Sequence, residues 1–196
     1  MPRPAMGLLA PILLLNLAAA PAPKKAEEST LHYPTKVGDK WTYLLTDKTG
    51  KEKEWEIVEM VTAVEDKKGV KVVTVGRFEE DGKVYPNRTR EVSDRGVWQT
   101  EQLGFGALDS PWVHLKLPHK PGQMWDFQKT SMTAHGPERV KVPAGEYDAI
   151  RVEIRNKDEP KSDPIQTAWF APRVGIVKLT KGDLLIVMKT FTPGKE

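Results

Sequence analysis

VKVPAGEYDAIRVEI (140–154), WFAPRVGIVKL (169–179) and LLIVMKTF (184–191) decide the fold. Each run is short and rich in β-branched or aromatic residues. Each is bounded by Pro and Gly, the punctuation between strands. Pro143 ends one run and Gly145 accepts a positive φ, so the pair predicts a tight turn. Tyr147 and Ala149 share one parity, while Ile150, Val152 and Ile154 share the other. That switch predicts a β-bulge near Asp148. Pro172 and Gly175 set the next corner, where a glycine permits close backbone approach. This part of the chain reads as several adjacent strands of one sheet.

Toward the N-terminus the strand signals continue, with no convincing long helix between them. Trp41, Tyr43 and Leu45 alternate with Thr42 and Thr46, the period of a half-buried strand. Residues 55–64 match a helical template through Ile57, Met60, Val61 and Val64, yet they are rich in Val and Ile and flanked by strand signals, which favours a strand. Residues 66–69 and Asp81-Gly82 read as hairpin turns. Residues 70–78 are apolar on both faces and read as a central strand. Residues 84–92 are polar at most positions and read as an edge or solvent-facing strand. Residues 103–111 read as a loop, after which Val113, Leu115 and Leu117 face one way and Trp112, His114 and Lys116 the other. About eleven or twelve short strands joined by short turns imply an all-β protein, an antiparallel meander forming a curved sheet, half-barrel or sandwich.

The pattern K-x-G-x-x-W-x-aromatic occurs at residues 36–43 and again at 120–127, Gly38 and Gly122 being 84 positions apart. Gly96 and Gly175, each opening a strand-like run, are 79 apart. Two similar halves of about eighty residues would give these offsets. Chance recurrence of a Gly-turn-Trp in a Trp-rich β-protein would give them too.

The chain has 196 residues, 39% hydrophobic and 29% charged, enough for one domain with a real core, placed at 31–196. Its 30 Lys and Arg against 27 Asp and Glu are interleaved, as in Lys51-Glu52-Lys53-Glu54. Nucleic-acid binding calls for a basic stripe, which is not seen, so that partner is set aside. Cysteine is absent, which excludes disulfides, a thiol nucleophile and a Cys-based zinc site.

Residues 1–20 have the layout of a signal peptide. Arg3 supplies the positive start, residues 5–17 the apolar run, and Ala18-Ala19-Ala20 the small residues for cleavage. Pro11 and Asn16 interrupt a run already short for a bilayer. Cleavage after Ala18 or Ala19 avoids leaving Pro21 or Pro23 first. Residues 21–30 are polar and Pro-containing, a flexible leader. No Cys follows the apolar run, so no lipid anchor is expected. The address is periplasmic or extracellular.

Tyr33-Pro34 leading to Gly38 and Trp41-Thr42-Tyr43, then VPAGEY (142–147), then WFAPRVGIVK (169–178) occur in an order that resembles a group of exported bacterial β-proteins classed as a domain of unknown function. The resemblance covers nearly the whole chain after the leader. It implies an envelope or extracellular address and an antiparallel β-fold, a curved sheet like that of lipoprotein carriers being one form. It carries no catalytic residues. Many members have a lipobox, from which this sequence departs. Within these motifs Gly38, Trp41, Tyr43, Pro143, Gly145, Tyr147, Trp169, Pro172 and Gly175 read as structural.

The histidines are His32, His114, His119 and His135. His114 and His119 flank Pro118, five apart, with no acid beside either and no H-E-x-x-H, so no metal is expected. Nucleophile-elbow, Walker and dinucleotide patterns are absent, and Ser110, Asp109 and His114 are close only in sequence, whereas triads assemble in space. No catalytic residue or cofactor is assigned. Trp41, Trp125 and Trp169 lie inside strand patterns and read as core. Trp112 lies opposite Val113, Leu115 and Leu117. With Phe105, Leu108 and His114 it forms the candidate patch for an apolar ligand or an envelope-protein partner. The competing reading buries both faces of that strand. The functional expectation is an exported envelope protein without enzymatic activity, with an interaction module or an exported hydrolase as alternatives.

Overall fold

A computed structural model describes residues 30–49, 53–102 and 106–195. The alternating runs become β1 (Lys40–Asp47), β2 (Lys53–Lys67), β3 (Val70–Phe78), β4 (Val84–Ser93), β5 (Gly96–Gln102), β6 (Gly106–Lys116), β7 (Gln123–Phe127), β8 (Thr130–Val142), β9 (Gly145–Asn156), β10 (Gln166–Ala171), β11 (Gly175–Lys181) and β12 (Leu184–Thr192). No helix occurs among the described residues. The signal-like segment, nearly all of the leader, and Phe105 lie outside the described residues.

All twelve strands form one antiparallel sheet, in the order β6-β5-β4-β3-β2-β1-β12-β11-β10-β9-β8-β7. It consists of two meanders, β1–β6 and β7–β12, joined where β1 pairs with β12 from Lys40↔Thr192 to Asp47↔Leu184. Strand twist, increased by bulges such as those between Val61 and Ala63 and between Thr89 and Arg90, curls the sheet. The result is a nearly closed barrel with one unsealed seam, between the edge strands β6 and β7. Trp41, Tyr43 and Leu45 are buried, as their alternation predicts. They join Val61, Val73, Val75, Val152, Phe170, Val177 and Met188 in one core.

The sequence motifs meet at one end of this barrel. Arg173 N donates to Leu31 O at 2.7 Å. Trp41 Nε1 donates to Val174 O at 2.8 Å, and Tyr43 Oη to Ile176 O at 2.9 Å. Gly175 lies against Tyr33 and Pro34 so closely that a Cβ there would come within 2.9 Å of Tyr33 Cδ2. Pro143 and Ala144 form the turn from β8 to β9, where Ala144 N donates to Met188 O and Tyr147 Oη to Ala144 O. Trp169 donates to Glu138 Oε1 at 2.6 Å beneath the Lys178 ammonium. Pro172 opens the corner in which Val174 N returns to Ala171 O. The opening and closing motifs are thus the two sides of the β1–β12–β11 junction.

The echoed K-x-G turns have the same geometry. Asp39 N donates to Lys36 O and Gln123 N to Lys120 O. Gly38 and Gly122 sit at φ of 88° and 80°, and their N–H groups bond the neighbouring strand at Val61 O and Ala134 O. β1 and β7 therefore begin alike, each as the first strand of its meander.

Several local expectations are corrected. Residues 103–111 were expected to be a loop, but β6 begins at Gly106. Residues 84–92 read as an edge or solvent-facing strand, yet β4 pairs with both β3 and β5, and although Tyr85 and Pro86 are exposed it buries Asn87, Arg90 and Val92. The bulge expected near Asp148 lies on the partner strand, where Gly136 is the extra residue between His135↔Arg151 and Pro137↔Ile150. His114 is likewise extra, between Val97↔Leu115 and Trp98↔Val113. That bulge breaks simple parity and lets His114 and Leu115 both be buried.

Candidate ligand site

Ile57, Glu59 and Val61 share a parity on β2, and this sends Glu59 into the barrel, 2% exposed. Arg88 donates to both carboxylate oxygens, with Nη1–Oε1 at 2.8 Å. Asn87 Nδ2 adds 3.1 Å and Arg77 Nη2 3.4 Å. Asn87 and Arg88 are sequence neighbours yet reach one carboxylate, because Asn87 is the extra residue between Val75↔Arg88 and Gly76↔Pro86. Burial alone would raise the Glu59 pKa. The charge and hydrogen bonds of Arg88, with the charges of Arg77 and Arg90, outweigh it and hold the carboxyl at about 2.

Arg90 is 4% exposed. Its guanidinium lies 4.7 Å from the centroid of the Tyr33 ring, a cation–π contact. Its Nε and Nη1 are buried without a hydrogen-bond partner. His114 Nε2 faces Gln99 Oε1 at 3.3 Å. Burial, then the charges of Arg90 and Arg88, push the His114 pKa well down and keep the ring neutral.

Of the candidate patch, the structure brings Trp112 and His114 together at the seam. The Trp112 ring stacks on His114 at 5.0 Å between centroids and on Phe127 of β7 at 5.7 Å, with planes 1° apart. Trp125 Nε1 crosses the same seam to Val113 O at 3.0 Å. Leu108 is half-buried farther along β6 and joins none of these contacts. Neither cavity described below is lined by Leu108, Trp112 or His114.

The larger cavity, about 1100 Å³, opens at the barrel end where the motifs meet. Leu31, Tyr33, Pro34, Val70, Phe191 and Pro193 give it apolar walls. Lys36, Lys68, Lys71, Arg95 and Arg173 are its cations, and Asp39 and Asp94 its acids. Asp39 accepts backbone N–H bonds from Lys36 at 2.9 Å and Gly194 at 2.8 Å. A smaller cavity of about 300 Å³ lies beside Asn87, Arg88 and Glu101. Tyr33 links the interior Glu59–Arg88–Arg90 group to the larger cavity, because it belongs to that cavity's lining and Arg90 lies over its ring. Among the described residues no cluster of three or more His, Asp or Glu could hold a metal ion.

Glu59, Arg88, Arg90 and the cavity cations were not singled out from sequence. A signal for the interior group exists: Arg88, Arg90 and Val92 share a parity on one strand, as Ile57, Glu59 and Val61 do on another. The cavity has no comparable signal, since five separate turns and termini build it.

The sequence matches no protein-family model and no curated protein. Two solved structures resemble the chain. One is a protein of Bacteroides fragilis NCTC 9343 assigned as exported, with a YMCC-like fold: 17% identity, 83% of this chain and 99% of that one covered, TM-score 0.56. The other is a protein of Parabacteroides distasonis ATCC 8503 assigned as a lipoprotein: 17% identity, 85% and 100% covered, TM-score 0.47. The Bacteroides protein shares this chain's fold over nearly its whole length.

Proposed function

We propose that the chain is an exported cell-envelope protein without enzymatic activity that binds a largely apolar small molecule in the open end of its barrel. The cavity of about 1100 Å³ carries this reading. Its size is that of a small-molecule site, and its walls combine apolar surface with a few convergent polar groups. The signal-like layout of residues 1–20 supports export, as does the fold shared with a protein assigned as exported. His114 faces the Gln99 amide in a closed interior, which supports a packing role for that histidine over a hydrolytic one. The site proposed is the end cavity; Trp112 and His114 serve the seam.

The test is purification from the native envelope, followed by mass spectrometry of bound small molecules under native conditions. An amphiphile should co-purify with the parent protein. It should be lost from Phe191→Glu, which places a charge in the apolar wall. Because Phe191 pairs with Trp41 in the β1–β12 ladder and packs on its ring, near-UV circular dichroism must show this variant folded, and Val70→Glu in the same wall repeats the test away from that ladder. Parent protein that carries nothing, and that shows no thermal shift with any amphiphile tested, overturns the reading.

A further inference from the structure

The end cavity is unbalanced in charge. Its cations are Lys36, Lys68, Lys71, Arg95 and Arg173, and its acids Asp39 and Asp94. Asp39 is occupied by two backbone N–H groups, and Lys71 by Asp66 at 2.6 Å. Among the described residues, Lys68, Arg95 and Arg173 have no carboxylate within ion-pairing distance. The three lie on separate turns, β2–β3, β4–β5 and β10–β11, which the curl of the sheet brings to one end.

Arg90 is an independent second observation. Its buried guanidinium lies 4.7 Å from the ring centroid of Tyr33, a residue of the cavity wall, with Nε and Nη1 unpartnered. In the interior Arg88 pairs with Glu59, which Arg77 also contacts, and among the described residues Arg90 makes no ion pair, while His114 is held neutral. A positive excess therefore remains inside the barrel. In a low-dielectric wall its field is weakly screened and reaches into the adjoining cavity. With Asp94 the one exposed acid in the lining against the three exposed cations Lys68, Arg95 and Arg173, and the unpaired Arg90 next to Tyr33, the apolar cavity keeps a positive excess that favours an anion there.

Resting on the ligand-binding reading, the geometry points to a ligand with an apolar body and one anionic head, a carboxylate or a phosphate monoester. The head lies among Lys68, Arg95 and Arg173, over the Tyr33–Arg90 pair. The body lies against Leu31, Val70 and Phe191. A neutral lipid would leave the cations uncompensated, and a small hydrophilic anion would leave the apolar walls wet.

The experiment titrates the purified, delipidated protein calorimetrically with palmitate, cetyl phosphate and cetyl alcohol, which share one alkyl chain. At least one of the two anions should bind about tenfold or more tighter than the alcohol, and its affinity should fall as salt rises. The stronger of the two identifies the head as carboxylate or phosphate. The triple substitution Lys68→Gln, Arg95→Gln, Arg173→Gln should remove roughly that tenfold advantage and leave the alcohol unchanged. Arg90→Met, which keeps most of the volume, should weaken the anions several-fold, with near-UV circular dichroism reporting its folded state. Should that variant not fold, the triple substitution on exposed turns still decides. If the alcohol binds as tightly as both anions, or the triple variant binds like the parent, the anionic head is overturned while ligand binding stands. If none of the three compounds binds, both readings fall.

Discussion

Replacing Glu59 by Gln removes a buried charge and little volume. Glu59 is 2% exposed and receives donors from Arg88, Asn87 and Arg77. The folded carboxyl titrates at about 2, against an ordinary 4.5. At ~1.4 kcal/mol per unit, that difference corresponds to about 3 kcal/mol of stability at neutral pH. Breaking one partner of a buried pair costs about 3–5 kcal/mol by analogy with other proteins, a consistent figure. For a domain of this size the loss corresponds to a drop of roughly 6–12 °C in Tm.

The pH dependence separates this charge effect from simple repacking. Because the folded pKa is depressed, the contribution is complete above pH 4.5 and is lost as pH falls toward 2. Denaturant melts of parent and E59Q should therefore differ by about 3 kcal/mol at pH 7, and the gap should narrow steadily below pH 4.5. Other carboxylates titrate in both proteins and cancel from the difference. A gap under ~1 kcal/mol at pH 7, or one that stays constant down to low pH, would refute the assignment of Glu59 as the interior counter-charge.

Three further outcomes follow from single contacts. Gly175→Ala places a Cβ 2.9 Å from Tyr33 Cδ2 at φ +82°, and should cost about 2 kcal/mol, read as a Tm loss of roughly 4–8 °C; an unchanged Tm refutes the close packing of Tyr33. Trp125→Phe deletes the 3.0 Å bond to Val113 O across the seam, at about 1 kcal/mol. Its amide exchange should quicken in β6 and β7 and not in β1 and β12, and uniform exchange refutes a local role. The His114 ring, pushed well down by burial and by Arg90 and Arg88, should show no protonation in NMR spectra around pH 6.5. Its unfolded form titrates there, so this residue's share of stability is present above 6.5 and erodes as pH falls below it. A normal titration refutes that environment.

The β1 strand and the strands from β9 to β12 were legible because one residue type answers one question at each position. Trp41, Tyr43 and Leu45 alternate, and Pro143, Gly145, Pro172 and Gly175 mark the corners. β4 was misread for a physical reason. Arg88 and Arg90 in a strand suggest solvent unless their counter-charge is known, and Glu59 lies 29 residues from Arg88. Trp112 and His114 were legible as unusual but not as seam residues, because their stacking partner, Phe127, belongs to the other meander. The cavity was not legible, since Tyr33, Lys68, Arg95, Arg173 and Phe191 share no periodicity and only barrel closure assembles them.

The two meanders begin with the same turn but fill their interiors differently. Among the described residues, seven of the eight buried polar or charged ones, Asp39, Glu59, Asn87, Arg90, Ser93, Gln99 and His114, precede β7. The later strands bury Met132, Ala134, Val152, Ile154, Ala168, Phe170, Val177 and Met188, with Thr167 the one polar exception. Buried ion pairs are generally no more stabilising than apolar packing of similar volume, because both charges lose their hydration. The β7–β12 meander demonstrates that this sheet can be filled without them. Stability of the barrel therefore does not account for the Glu59–Arg88–Arg90 group. Its position bears on the proposed site: Arg90 lies over the ring of Tyr33, and Tyr33, Ser93 and Asp39 line the cavity. A solid apolar interior in β1–β6 would leave Tyr33 without the Arg90 guanidinium over its ring. The first meander thus carries most of the buried charge, while both meanders line the cavity, the second through Arg173, Phe191 and Pro193.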